Sequence, residues 1–147
     1  MTTITHQRST HIDAPVETVF DYVEDPHHFF AAMAPMTGAS SHFTNVTVTP
    51  EGVGSTYEWS DRMFLFPIHG VTTREEYVPN ERIVDHSSTG PTWTFTFEPD
   101  PTGTTLTLAY EYSLKVPLVG KAVDALAWNG DRDIDAMLAY YKREIET

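Results

Sequence analysis

From Phe43 onward the apolar residues of this chain recur with a period of two, broken by turn signals about every ten residues, and at both ends the period becomes helical. That order, a short helical segment, a strand-rich middle and one long closing helix, constrains the fold more than any single motif. The turn signals are Pro50-Glu51-Gly52, Pro79-Asn80-Glu81, Gly90-Pro91 and Asp100-Pro101-Thr102-Gly103, and they punctuate an antiparallel meander. The clearest strand is Pro91 to Glu98. Trp93, Phe95 and Phe97 share one face of it, and Thr92, Thr94 and Thr96 share the other. In the next strand Leu106, Leu108, Tyr110 and Tyr112 alternate with polar or small residues, so two adjacent aromatic faces look into one interior. Tyr57 and Trp59 extend the pattern to an earlier strand, whereas Met63 to His69 is ambiguous because Phe64-Leu65-Phe66 is a continuous apolar run and Pro67 limits pairing.

The ends obey helical rules. Thr3 to Ile12 has the β-branched content of a first strand. Pro15 suits a first helical position, where its missing N–H would be unpaired anyway; Glu17 lies in the positive first turn, and Val16, Val19, Phe20 and Val23 form a stripe. Asp25-Pro26 repeats the start signal for a second short helix, through Met33 and ending before Gly38. After Pro117 a helix of nearly thirty residues is expected to reach Glu146, with Val123, Leu126, Ile134, Met137, Leu138 and Tyr141 on its apolar side. Gly130 interrupts that stripe at a propensity cost of about 1 kcal/mol, which implies close backbone packing or deliberate space. Trp128 falls away from the stripe and implies packing near Pro117 or a subunit contact.

Length and charge exclude several functions. The 147 residues are expected to form one domain spanning 1–147, large enough for a core and a modest cavity. No apolar run suggests a membrane span, and the polar Met1 to Thr10 lacks the apolar centre of a secretory signal, so cytoplasmic residence is expected. With no cysteine there is no disulfide and no thiolate chemistry. The 21 Asp and Glu against 9 Lys and Arg give a formal net charge of -12, which disfavours nucleic acid and anionic membranes as partners. Few lysines, abundant threonine and a dense carboxylate surface resemble the composition of proteins from extreme halophiles. Seven histidines raise the question of a metal, but none are spaced four apart on a helix, and His27 and His28 point about 100° apart, so no metal and no cofactor are expected.

Several segments together are similar to a known family: Ile12-Asp13-Ala14-Pro15-Val16-Glu17-Thr18-Val19-Phe20, the Gly52-Val53-Gly54-Ser55 turn, Tyr77-Val78-Pro79-Asn80-Glu81-Arg82-Ile83, and the closing Leu138 to Glu146. They resemble the START-like (SRPBCC) superfamily and, within it, the polyketide cyclase/dehydrase branch. The resemblance implies an α+β helix-grip fold: a curved seven-stranded antiparallel sheet around a long C-terminal helix, with two short helices after the first strand. It also implies a ligand tunnel between sheet and helix.

Strand parity then nominates Tyr57, Trp59, Trp93, Phe95, Tyr110 and Tyr112 as the tunnel lining, with a hydrophobic or aromatic small molecule as partner. His69, in an aromatic-rich stretch, is added as a residue able to act as acid or base, against the alternative of a solvent-facing strand histidine. Relatives of the cyclase type use cavity arginines to polarise carbonyls, yet Arg74 beside Glu75 and Glu76 reads as a surface ion pair. Three functions follow: a binder or carrier of a small hydrophobic molecule, a polyketide cyclase/dehydratase-like enzyme, or a protein-interaction module, which calls for a filled tunnel and an exposed apolar patch. No catalytic residue and no oligomeric state can be read from the residues.

Overall fold

The computed structural model describes residues 2–37, 41–63, 66–114 and 130–147. Strand β1 (Thr2–Ile12) leads into helices α1 (Val16–Val23) and α2 (Pro26–Thr37). A meander follows: β2 (His42–Thr47), β3 (Thr56–Met63), β4 (Phe66–Val78), β5 (Arg82–Ser87), β6 (Thr92–Asp100) and β7 (Gly103–Leu114). Helix α3 (Gly130–Glu146) closes the chain. The seven strands form one antiparallel sheet in the order β1-β7-β6-β5-β4-β3-β2, so the first strand returns to pair with the last. This is the helix-grip arrangement.

The expected elements form for the expected reasons, with local adjustments. Pro15 is the cap itself, extended at ψ 152°, and no side chain caps α1. The ambiguous stretch resolves into the end of β3 and the start of β4, with Met63 paired to Phe66 and Pro67 near the strand's beginning. Residues 115–129, and with them Trp128 and the first half of the expected long helix, lie outside the described residues.

The core is where the parity argument placed it. Trp93, Phe95 and Phe97 pair across β6–β7 with Tyr110, Leu108 and Leu106, and all six are buried. Ile134, Met137, Leu138 and Tyr141 of α3 close over them. The polar side of α3 is tied to β1 and the turn after it: Asp135 accepts from Arg8 at 3.0 Å, Lys142 donates to the His11 carbonyl at 2.7 Å, and Glu146 accepts from the Asp13 N–H at 2.8 Å. A Cβ at Gly130 would sit 2.2 Å from the His6 ring, so the start of α3 lies close against a β1 side chain. Gly103 is more tightly held, since its Cβ would fall 2.3 Å from the backbone oxygen of Ile12.

Candidate functional site: an aromatic pocket around a buried ion pair

Helix α2 lies over one end of the sheet and leaves a cavity of about 30 Å³ between itself, α1 and the strands. Its walls are mostly rings. Phe29 meets Trp93 edge-on at 4.9 Å, and Phe30 stacks on Phe43 of the edge strand β2 at 4.3 Å and 18°. Tyr57 and Phe95 complete the aromatic wall, with Thr72, Arg74 and Asp85 as the polar part. Ring pairs of these kinds contribute about 0.5–1.5 kcal/mol each beyond the area they bury.

Arg74 is buried at 4% exposure, which corrects the expectation of a surface ion pair. Its register partner on β5 is Asp85, and the pair is bidentate: Nε donates to Oδ1 at 2.9 Å and Nη2 to Oδ2 at 3.0 Å. Nη1 donates to the Glu24 carbonyl at 3.1 Å, and the guanidinium lies 5.3 Å from the Tyr57 ring centre and 5.7 Å from that of Tyr77. Burial works against the Arg74 charge, but the hydrogen bonds and charge of Asp85 outweigh it and hold the pKa above its ordinary value. Arg74 shares the inward parity of Gly70 and Thr72, and a bulge after it, between Arg74 and Glu76, resets the parity so that Tyr77 also turns toward the core within a charged run. Tyr77 donates to the Glu24 carboxylate beside this pair; burial, then that bond, push its pKa up to about 12. Tyr57 is likewise raised, chiefly by burial.

The seven nominated residues divide. Tyr57, Trp93 and Phe95 line the cavity. Trp59 is half-buried on the same face, lying over Gly70 and donating its indole N–H to Thr72 at 3.1 Å, so it supports the wall from behind. Tyr110 and Tyr112 are buried in a line of rings beyond Trp93, at 4.4 and 5.1 Å between successive centres, and belong to the core. His69 is exposed, one residue out of phase with Gly70 and Thr72, and therefore on the outer face: it is the solvent-facing strand histidine of the alternative reading. Sequence reasoning did not find Asp85, Phe29, Phe30 or Phe43. The available signal for Asp85 was its shared parity with the buried Ile83 on β5.

A second depression, about 530 Å³, lies on the outer face of the sheet over Thr92, Thr94, Thr96, Thr107 and Glu111. It is open, polar and without a buried group. Among the described residues no set of three His, Asp or Glu side chains is placed to hold a metal, and no helix is long and apolar enough to cross a membrane.

Comparison with known proteins agrees with this geometry. The family model described as "Polyketide cyclase / dehydrase and lipid transport" matches residues 3–146. Similar solved structures include TTHA0849 from Thermus thermophilus, at 18% identity and TM-score 0.67 over 98% of this chain and 97% of that one. The KanY protein aligns over the whole of both chains at 14% identity and TM-score 0.69. The di-domain ARO/CYC BexL from the BE-7585A biosynthetic pathway aligns at 21% identity and TM-score 0.62, covering 99% of this chain and 50% of that one. A search of curated proteins found no match. A seven-stranded helix-grip sheet, a hydrophobic pocket under its second helix, and a family match over nearly the whole length together make this chain a member of the polyketide cyclase/dehydrase and lipid transport family of the START-like (SRPBCC) superfamily.

Proposed function

We propose that this protein binds a small, uncharged, largely aromatic molecule between α2 and the sheet, with the polar end of the molecule at Arg74 and Asp85. The observation that carries this reading is a bidentate ion pair set in a mostly aromatic wall. The rings supply apolar area, while the pair supplies orientation. Three of the five guanidinium N–H groups are engaged by Asp85 and the Glu24 carbonyl, which leaves donor capacity for a carbonyl or hydroxyl oxygen. Because Asp85 neutralises Arg74, an anionic ligand would gain no net attraction there, and the chain's net charge of -12 opposes its approach. A volume of about 30 Å³ holds roughly two waters, so a ligand enters as the Phe30–Phe43 stack parts.

The test is titration with the neutral fluorophore N-phenyl-1-naphthylamine. Saturable, stoichiometric enhancement that disappears in a folded Thr72→Phe variant, whose ring fills the cavity, supports the reading. Equal enhancement in both proteins contradicts it.

The small volume also favours a second reading, the protein-interaction module, which calls for a filled tunnel. That reading needs an apolar patch as well, and the exposed large hydrophobic side chains among the described residues are Val48 and Val53, near the β2–β3 turn. Two valines do not make an interface core. A cyclase/dehydratase-like reaction would use the same Arg74 to polarise a carbonyl, and turnover of a polyketide-like substrate would distinguish it from binding alone.

A further inference from the structure

Strand β1 ends beside the tight β6–β7 turn, where His11 is the register partner of Thr105 and Asp100 that of Gly103. Three side chains that do not line the aromatic pocket meet there. Asp100 Oδ2 lies 2.7 Å from His11 Nδ1, and the other ring nitrogen, Nε2, lies 3.3 Å from the Thr102 hydroxyl oxygen in the turn. Asp100 is itself fixed, since Oδ1 accepts from the Thr102 N–H at 3.0 Å and Oδ2 from the Thr105 hydroxyl at 2.9 Å. Burial works against its charge, but the bonds from His11, Thr102 and Thr105 outweigh it and hold the carboxyl below its usual range. An ionised carboxylate only accepts, so the proton between Asp100 and His11 sits on Nδ1. In the neutral ring Nε2 then carries a lone pair, and the Thr102 hydroxyl is its donor. The backbone beneath is held independently: a Cβ at Gly103 would fall 2.3 Å from the Ile12 oxygen, Thr104 donates to the Ala14 carbonyl at 2.8 Å, and Lys142 donates to the His11 carbonyl at 2.7 Å. Fastening the turn therefore does not call for the contact between Thr102 and His11, whose side chains are both exposed.

We propose that Thr102, His11 and Asp100 form an acyl-transfer site separate from the pocket, with Thr102 as nucleophile, His11 as its general base and Asp100 as the positioning residue that sets the ring's tautomer. The Thr102 oxygen attacks the carbonyl carbon of an ester and passes its proton to Nε2 of His11. The bond from that carbon to the leaving oxygen breaks, and the leaving alcohol takes the proton from His11. Water then gives a proton to Nε2 as it attacks the acyl carbon, the free acid departs, and the proton returns to the Thr102 oxygen. The 3.3 Å separation of hydroxyl and base is loose, as is usual before a substrate draws such groups together. The site faces solvent and the chain carries a net charge of -12, so the substrate class is a small, uncharged, activated ester.

The experiment follows p-nitrophenolate release from p-nitrophenyl acetate, corrected for the buffer rate, with acetyl groups mapped by mass spectrometry on acid-quenched protein and the fold of each variant checked by melting. Wild type is expected to react about 100-fold faster than Thr102→Val or His11→Gln, Thr102→Ser to keep the wild-type rate, and the acetyl group to sit on Thr102. Asp100→Asn should slow the reaction and, in long-range proton–nitrogen NMR spectra, convert His11 from the Nδ1–H form to a mixture of tautomers, which a purely structural role of Asp100 would not do. A wild-type rate in Thr102→Val, or acetyl groups confined to lysines, overturns the proposal. Loss of the rate in His11→Gln with Thr102→Val unaffected makes His11 itself the nucleophile and overturns it equally. Should Thr102→Val fail to fold, the acetyl map of wild type and the rate of Thr102→Ser decide the matter on their own.

Discussion

Replacing Asp85 by alanine should expose how dry the pocket is. The substitution removes both charge-assisted bonds to Arg74, at 2.9 and 3.0 Å, and leaves a guanidinium at 4% exposure with the Glu24 carbonyl and two tyrosine faces as its remaining partners. Removing one member of a buried ion pair costs about 3–5 kcal/mol, because the other charge stays desolvated. For a chain of this size that corresponds to a fall in Tm of roughly 6–20 °C. The double variant Arg74→Met with Asp85→Leu removes both charges and fills similar volume, and its expected stability lies within about 1 kcal/mol of wild type or above it. The assay is denaturant unfolding of wild type, Asp85→Ala, Arg74→Met, Asp85→Leu and the Arg74→Met/Asp85→Leu double variant, the last three read with wild type as a double-mutant cycle. If Asp85→Ala costs less than about 1 kcal/mol, water already screens the pair as it screens surface pairs, and the argument for a low-dielectric, electrically neutral pocket fails.

Three further outcomes are expected. Gly103→Ala places a Cβ 2.3 Å from the Ile12 oxygen, a backbone atom that cannot swing aside, and should cost roughly 3 kcal/mol in thermal unfolding; a neutral substitution would show that the β6–β7 turn is not packed against the end of β1. In alkaline titration followed by phenolate absorbance, Tyr77 should ionise at about 12 in the folded protein against about 10 in the unfolded chain. Since the folded state then holds its proton more tightly, stability is fully present below pH 10 and falls as pH rises toward 12, and a Tyr77→Phe variant should lose that part of the slope. The net charge of -12 predicts that stability rises with KCl as carboxylate repulsion is screened, and a melting temperature independent of salt would refute the halophile-like reading.

The sheet was legible because its signals are local. Alternation in Trp93-Thr94-Phe95-Thr96-Phe97 fixes a face whatever the rest of the chain does, and the turns between strands carry their own residues. The pocket was only partly legible because it depends on relations between elements. Arg74 sits next to two glutamates in sequence, and it is the parity shared with Thr72 and the β4–β5 register that set it inward against Asp85. Phe30 and Phe43 are 13 residues apart on a helix and an edge strand, and their stack exists only once α2 has docked. Tyr110 and Tyr112 are buried, as parity expects, but parity cannot separate a core ring from a pocket ring. His69 lies on the outer face, since its neighbour Gly70 holds the inward position under Trp59.

The central claim is that the space between α2 and the sheet is where a neutral aromatic molecule binds, and the most direct measurement locates one there. Intermolecular NOEs from bound N-phenyl-1-naphthylamine should reach Val23, Tyr57, Trp93 and Phe95, with the Arg74 side-chain resonances shifting on saturation. NOEs to Thr92, Thr94 and Thr96 on the outer face, with the Arg74 resonances unmoved, would contradict the account.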